Sequence, residues 1–172
     1  ALSGTALPTT AVVTEVAPMN KTTYQVTVSG MTQDGTVVAA IPAGVAHDVL
    51  GHSNLAGTST DNLVTRDATA PTVAIAPAAG QVATTTLNTA NFTVTFSEAV
   101  TGFTNTDVQV MSAPQGANGT IIVTAVSPTI YTITLGRMTV DGVYSLAVPA
   151  NAATDRANTG NLAAPSPAVV AR

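Results

Sequence analysis

Residues 24–56 recur at 131–163 at a constant offset of 107, without a gap, and 14 of the 33 positions are identical. The shared residues include Met31 with Met138, Asp34-Gly35 with Asp141-Gly142, Pro42-Ala43 with Pro149-Ala150, Asp48 with Asp155, and Asn54-Leu55-Ala56 with Asn161-Leu162-Ala163. Upstream the match continues after a three-residue slip, which sets TAVVTEVAP at Thr10 over TIIVTAVSP at Thr120. Downstream, Arg66 meets Arg172 after a one-residue slip. Self-similarity at a fixed period marks a structural unit that a chain builds more than once. If Arg66 and Arg172 close successive copies, 67–172 is a complete unit and 1–66 is a copy that lacks its opening part.

Within the complete unit, short alternating segments rich in Val, Ile and Thr are divided by Gly, Pro, Asn and Asp, the pattern of half-buried strands. Strands are predicted at 72–76, 91–97, 107–112, 120–127, 130–135, 142–148 and 164–171, with no helix. Seven short strands in about a hundred residues predict a β-sandwich. In NFTVTFSE, Phe92, Val94 and Phe96 fall on one face and Thr93 and Thr95 on the other, as a two-sheet core requires. Asp34-Gly35 and Asp141-Gly142 are turn dipeptides, and Pro71 suits an extended approach to the first strand. Tyr24 and Tyr131 occupy matching positions and are expected to be packing residues.

Composition narrows the function classes. The 172 residues are 45% hydrophobic, chiefly Ala and Val, with three Phe, three Tyr and no Trp, so the core is thin and aliphatic and a large enclosed pocket is not expected. Charged residues are only 8%, against the usual roughly 25%. With five basic residues against nine acids and no Lys/Arg cluster, nothing follows a phosphate backbone or an anionic bilayer. Nucleic acid and membrane insertion are therefore not expected. The absence of cysteine removes disulfides, thiolate zinc sites and thiol catalysis. The chain opens at Ala1 without the pattern of a signal peptide, which reads as a mature piece or an excised fragment.

DATAPTVAIAP, NFTVTFSEAVTGFTNTDVQV and YSLAVPANAATDRANTGNLA together resemble the bacterial Ig-like repeats strung in tandem along very large secreted adhesins and surface proteins. The motifs are the D-x-T-A-P-T segment at 67–72, F-S-E-A-V-T-G-F at 96–103 and V-P-A-N-A-A-T-D at 148–155. The sequence departs from the family where Ala-Gly-Asn usually follows that last Asp: Asp155 precedes Arg156-Ala157-Asn158 and Asp48 precedes Val49-Leu50-Gly51. The resemblance implies an all-β, Ig-like Greek-key sandwich and an extracellular spacer or presentation role on a bacterial surface. In some members calcium rigidifies the domain junctions, and no catalysis is implied.

The acids are placed by a separate geometric argument. Where strand direction alternates in a sandwich, the start of the first strand and the loops beyond alternate strands gather at one pole. Asp67, Glu98, Asp107 and Asp155 are therefore expected to meet, with Asp34 of the preceding copy facing the same junction. Two carboxylates about 5 Å apart repel by roughly 3 kcal/mol at an effective dielectric near 20. Such a cluster either spreads its loops or takes up a cation, and hard oxygen ligands favour Ca²⁺. The competing reading is that these acids populate exposed loops and help turns.

Other candidates are weaker. His47 and His52 flank Asp48, but the second copy has Thr154 and Thr159 there, so the repeat does not need imidazole. No nucleophile, base and orienter pattern occurs. Glu98 with Asp107 or Asp155 as a glycosidase pair lacks aromatic surface to hold a sugar. The sequons at Asn20, Asn91 and Asn118 are expected by chance in a Thr/Asn-rich chain. The sequence thus predicts a non-enzymatic structural repeat of an adhesin, stalk or filament. The alternative is an accessory carbohydrate- or cell-wall-binding module of a secreted enzyme. The short first copy is either cut from a longer array or completed by strands from a neighbouring repeat or another copy of the chain, head to tail.

Overall fold

The computed structural model describes all residues, 1–172. The chain is all-β: its strands pair antiparallel in four sheets, with no α-helix and no closed barrel. No helix is long and apolar enough to cross a membrane. The chain divides into two compact units, Ala1–Ala68 and Thr69–Arg172. The first holds β1 (Leu2–Ser3), β2 (Thr10–Glu15), β3 (Tyr24–Ser29), β4 (Gly35–Ala39) and β5 (Leu63–Arg66). The second holds β6 (Val73–Pro77), β7 (Ala90–Phe96), β8 (Gln109–Ser112), β9 (Thr120–Ala125), β10 (Ile130–Gly136), β11 (Val143–Ala147) and β12 (Ala168–Ala171).

The second unit forms two sheets, β6-β7-β10-β9 and β12-β11-β8, whose apolar faces share one core. Strand periodicity explains the burial: Ala90, Phe92, Val94 and Phe96 point inward from β7 while Asn91 and Thr95 stay exposed. Tyr131, Ile133 and Leu135 do the same from β10, opposed by Tyr144 and Leu146 from β11 and Ala168 and Val170 from β12. Phe96, Phe103 and Tyr131 meet edge to face with centroids 5.2–5.7 Å apart, the arrangement that ring quadrupoles favour. The Tyr131 hydroxyl is satisfied by donating to the Val100 carbonyl at 3.1 Å.

Four strands are shorter than the sequence predicts, those at 107–112, 120–127, 142–148 and 164–171, and two of them have an evident local reason. The last starts at Ala168 rather than 164, because Pro165 and Pro167 carry no N–H for a ladder. The strand predicted from 107 starts at Gln109, because Asp107 ends a 3-10 turn over Asn105–Asp107. That three-residue turn is the one helical segment in a chain expected to have none.

The first unit forms a two-stranded sheet, β2-β3, and a three-stranded sheet, β1-β4-β5. Its buried apolar side chains are Ala6 and Val37 alone. Tyr24, expected to pack as Tyr131 does, is instead 50% exposed. The physical reason is that β10 lies between β9 and β7, whereas β3 pairs with β2 only, so nothing in the first unit takes the place of β7 or of Phe103.

Candidate functional site

The loop from β11 to β12 and its counterpart from β4 to β5 are built around one Asn and one Asp. In the second unit, Asn161 Oδ1 accepts from the Ala153 N–H at 2.8 Å, and its Nδ2 donates to the carbonyls of Pro149 and Leu162 at 2.9 and 2.7 Å. In the first, Asn54 accepts from Ala46 and donates to Pro42 and Leu55 at 2.9, 2.9 and 2.7 Å. Each partner is the residue 107 positions away. Asp155 Oδ1 accepts from the N–H groups of Ala157 and Thr159 at 2.7 and 2.8 Å. Asp48 Oδ1 accepts from Leu50 and His52 at 2.8 and 2.9 Å. Short polar side chains of this kind take the place of ladder partners in a loop. The turn ahead of each loop repeats as well: Gly35 and Gly142 both sit at φ 144°, where only glycine is comfortable. Arg66 pairs with Asp34 at 2.8 Å and Arg172 with Asp141 at 2.6 Å. The sequence match located Asn54 and Asn161 without assigning them a role. Their signal was an Asn that recurs beside Leu-Ala.

The second Asp oxygen separates the copies. Asp48 is exposed, and its Oδ2 pairs with His52 Nδ1 at 2.9 Å. Asp155 is only 4% exposed, and its Oδ2 is buried without a hydrogen-bond partner. Thr159 stands where the first copy has His52. One carboxylate oxygen each from Asp155, Asp67 and Glu98 lie within 4.8 Å of one another. Asp67 is on the segment leading into β6 and Glu98 follows β7. Three of the five predicted ligand residues are thus brought together.

Asp107 and Asp34 are not in this group. Asp107 turns back on its own 3-10 turn, where its Oδ2 accepts from the N–H and hydroxyl of Thr104 at 2.7 and 2.6 Å. Asp34 Oδ1 accepts from Arg66 and from the Ala68 N–H, both at 2.8 Å. Sequence periodicity placed Asp34 in the turn before β4, but it set Asp107 at the start of a strand that begins at Gln109, and it did not reveal the nearer donors.

The set Asp67, Glu98 and Asp155 suits a hard cation. Its donors are all carboxylate oxygens, and a buried carboxylate oxygen lacking a donor is costly unless a cation or proton satisfies it.

His52 has a consequence for pH. Its side chain, then its backbone N–H, hold the Asp48 carboxyl below the ordinary value of 3.8; desolvation opposes them, and the N–H groups of Leu50 and Gly51 add to the lowering in turn. A carboxylate whose pKa is depressed by folding contributes order that is present above its unfolded pKa, about 4. That contribution is lost as pH falls through the lowered value. The amide resonances of Leu50 and His52 are expected to titrate together at a midpoint below that of a free Asp. In His52→Ala the midpoint is expected to rise. An unshifted midpoint in the wild-type chain would refute this account of the loop.

No protein-family model matches the chain, and no curated protein matches its sequence.

Proposed function

We propose that this chain is a stretch of bacterial Ig-like repeat: a non-enzymatic structural segment of a secreted or cell-surface adhesin, stalk or filament that spaces and presents its neighbours. The observation that carries this reading is the duplicated loop. What recurs is a framework of Asn, Asp, Gly and Arg contacts that fixes backbone, while the imidazoles of His47 and His52 are replaced by Thr154 and Thr159. The order of the sheets supports the Greek-key part of the reading. The chain runs through β6 and β7 in one sheet, crosses to β8, returns for β9 and β10, and crosses again to β11 and β12. The low charge and the resemblance of 67–72, 96–103 and 148–155 to surface repeats support the location.

Calcium belongs to the same reading. Asp67, Glu98 and Asp155 would hold the ion, which would neutralise three crowded carboxylates and tie the segment ahead of β6 to the loops after β7 and β11. Extracellular modules bind Ca²⁺ at about 10⁻⁴ to 10⁻³ M, so 2 mM calcium is expected to stabilise the folded form by about 1 kcal/mol. That is a rise of several degrees in melting temperature relative to EDTA. Asp155→Asn keeps the loop-facing oxygen and is expected to abolish the rise. An unchanged melting curve at millimolar calcium would remove calcium and leave the structural role standing.

The role itself is tested by binding and position. Arrays of glycans and cell-wall polymers are expected to show no saturable binding, and antibodies to the chain are expected to label the outside of intact producing cells. Saturable binding to one polymer class would replace this reading with that of an accessory binding module.

A further inference from the structure

We infer that Asn118 is a self-modification site: the Gly119 backbone nitrogen attacks the Asn118 side-chain amide, closes a succinimide and, through it, turns this residue into aspartate and isoaspartate. Asn118 is the only Asn of the chain that Gly follows. The reaction asks three things of a structure. The attacking N–H must not be spent on a hydrogen bond, the side-chain amide must be able to swing onto it, and the following residue must have no Cβ to obstruct the ring or stiffen the backbone. All three meet in the connection between β8 and β9.

Both residues there are exposed and lie outside any strand or turn. Neither the Asn118 amide nor the Gly119 N–H has a hydrogen-bond partner within the chain. The backbone is held on either side of them. Upstream the Ala117 N–H donates to the Pro114 carbonyl at 3.0 Å, and downstream the β9-β10 ladder begins with Thr120 opposite Gly136.

The fold closes the competing positions. Asp34-Gly35 and Asp141-Gly142 form the same ring, by loss of water, in a chain that leaves them open. Here Gly35 lies in the β4-β5 ladder opposite Arg66, and the Gly142 N–H donates to the Arg172 carbonyl at 2.9 Å. Their carboxylates are held by Arg66 and Arg172. Asn20, Asn91 and Asn105 spend their side-chain oxygens on Thr22, Thr134 and the Val123 N–H, and each precedes a residue with a side chain. Dipeptide chemistry nominates three positions, and hydrogen bonding leaves one.

Water alone balances the reaction. As the Gly119 nitrogen bonds to Asn118 Cγ, the Cγ–Nδ2 bond breaks and ammonia leaves with the proton that the N–H gives up. Water then opens the ring. Cleavage between Cγ and the nitrogen gives aspartate. Cleavage between the backbone carbonyl carbon of residue 118 and the nitrogen gives isoaspartate, whose main chain runs through the former side chain. Nothing is oxidised or reduced. Either product adds a negative charge to a chain of net charge −4. Isoaspartate also lengthens the main chain by a methylene just before Thr120, where it passes from the sheet of β8 to that of β9. The first copy has Pro8-Thr9 at the matching positions, so this chemistry belongs to the second unit alone.

The test is incubation of the full chain for days in mildly alkaline buffer, with and without denaturant, read by peptide mass spectrometry that separates isoaspartate from aspartate. In the native chain a gain of one mass unit is expected at Asn118, with isoaspartate the larger product. Isomerisation at Asp34 and Asp141 requires local opening and is expected to be at least about tenfold slower than in denaturant. Asn118→Gln is expected to lose the modification, since its larger ring closes far more slowly, and to keep the fold, since the Asn118 side chain has no partner to lose. An unchanged Asn118 in the native chain would overturn the inference. So would aspartate as the sole product, which marks direct hydrolysis, or native Asp34 or Asp141 isomerising as fast as in denaturant. A mass gain that persists in Asn118→Gln would place the reaction elsewhere and overturn it as well.

Discussion

Tyr131→Ala is expected to destabilise the second unit by about 4 kcal/mol, while Tyr24→Ala, at the matching position of the first unit, is expected to cost less than about 1 kcal/mol. The two tyrosines arise from the same sequence match, Tyr24 as the first residue of β3 and Tyr131 as the second of β10. Their surroundings set the difference. Tyr131 is 6% exposed, packs edge to face on Phe96 and Phe103, and places its hydroxyl on the Val100 carbonyl. Truncation removes a ring from a closed cluster, leaves a cavity and strips a buried carbonyl of its donor. Tyr24 is half exposed, and its removal leaves water where water already was. Denaturant titration followed by residue-resolved amide exchange reads the two units separately. A cost at Tyr24 equal to that at Tyr131 would mean that the β2-β3 face is covered in solution. A cost at Tyr131 below about 1 kcal/mol would mean that the aromatic cluster does not organise the core.

The strands were legible because alternation is a local signal: Phe92, Val94 and Phe96 announce an inward face wherever the strand lies. Strand ends were less so, since they depend on which backbone donors are missing. Pro165 and Pro167 could have been used to shorten the last strand, and Thr104 with Asp107 three residues on, a capping box around the 3-10 turn, could have been used to delay the strand at 109. The acid group was legible in outline, because alternating strand direction sends Asp67, Glu98 and Asp155 to one end. What composition could not show is competition for the carboxylates. Asp34 is taken by Arg66, a residue known beforehand only as the close of a repeat. Likewise, the equal spacing of Asp48 and Asp155 hid their difference in burial, which comes from strands that one copy has and the other lacks. A repeat match transmits local hydrogen-bond patterns faithfully and says nothing of how much protein surrounds them.

That distinction makes the second large effect. Asn161→Ala is expected to cost about 3 kcal/mol and Asn54→Ala less than about 1 kcal/mol, although both side chains make the same local bonds. Asn161 is 1% exposed and its bond from the Ala153 N–H is buried, so its removal leaves that N–H unpaired away from water and takes the donor from the part-buried Pro149 and Leu162 carbonyls. Around Asn54 the corresponding groups lie in an exposed loop, and solvent replaces the amide at little cost. Asn161→Asp distinguishes lost bonds from lost volume. It keeps the shape and the oxygen that accepts from Ala153, but it removes both donors and sets a charge against two carbonyls. It is therefore expected to be at least as damaging as alanine. Asn161→Asp with near wild-type stability in chemical denaturation would show that the side chain fills space rather than pins the loop. The shared hydrogen bonds would then be a by-product of the backbone path. If Asn161→Asp is as damaging as expected, Asn161 is the pin that holds the loop carrying Asp155, and a calcium response that weakens in Asn161→Ala would follow from the same cause.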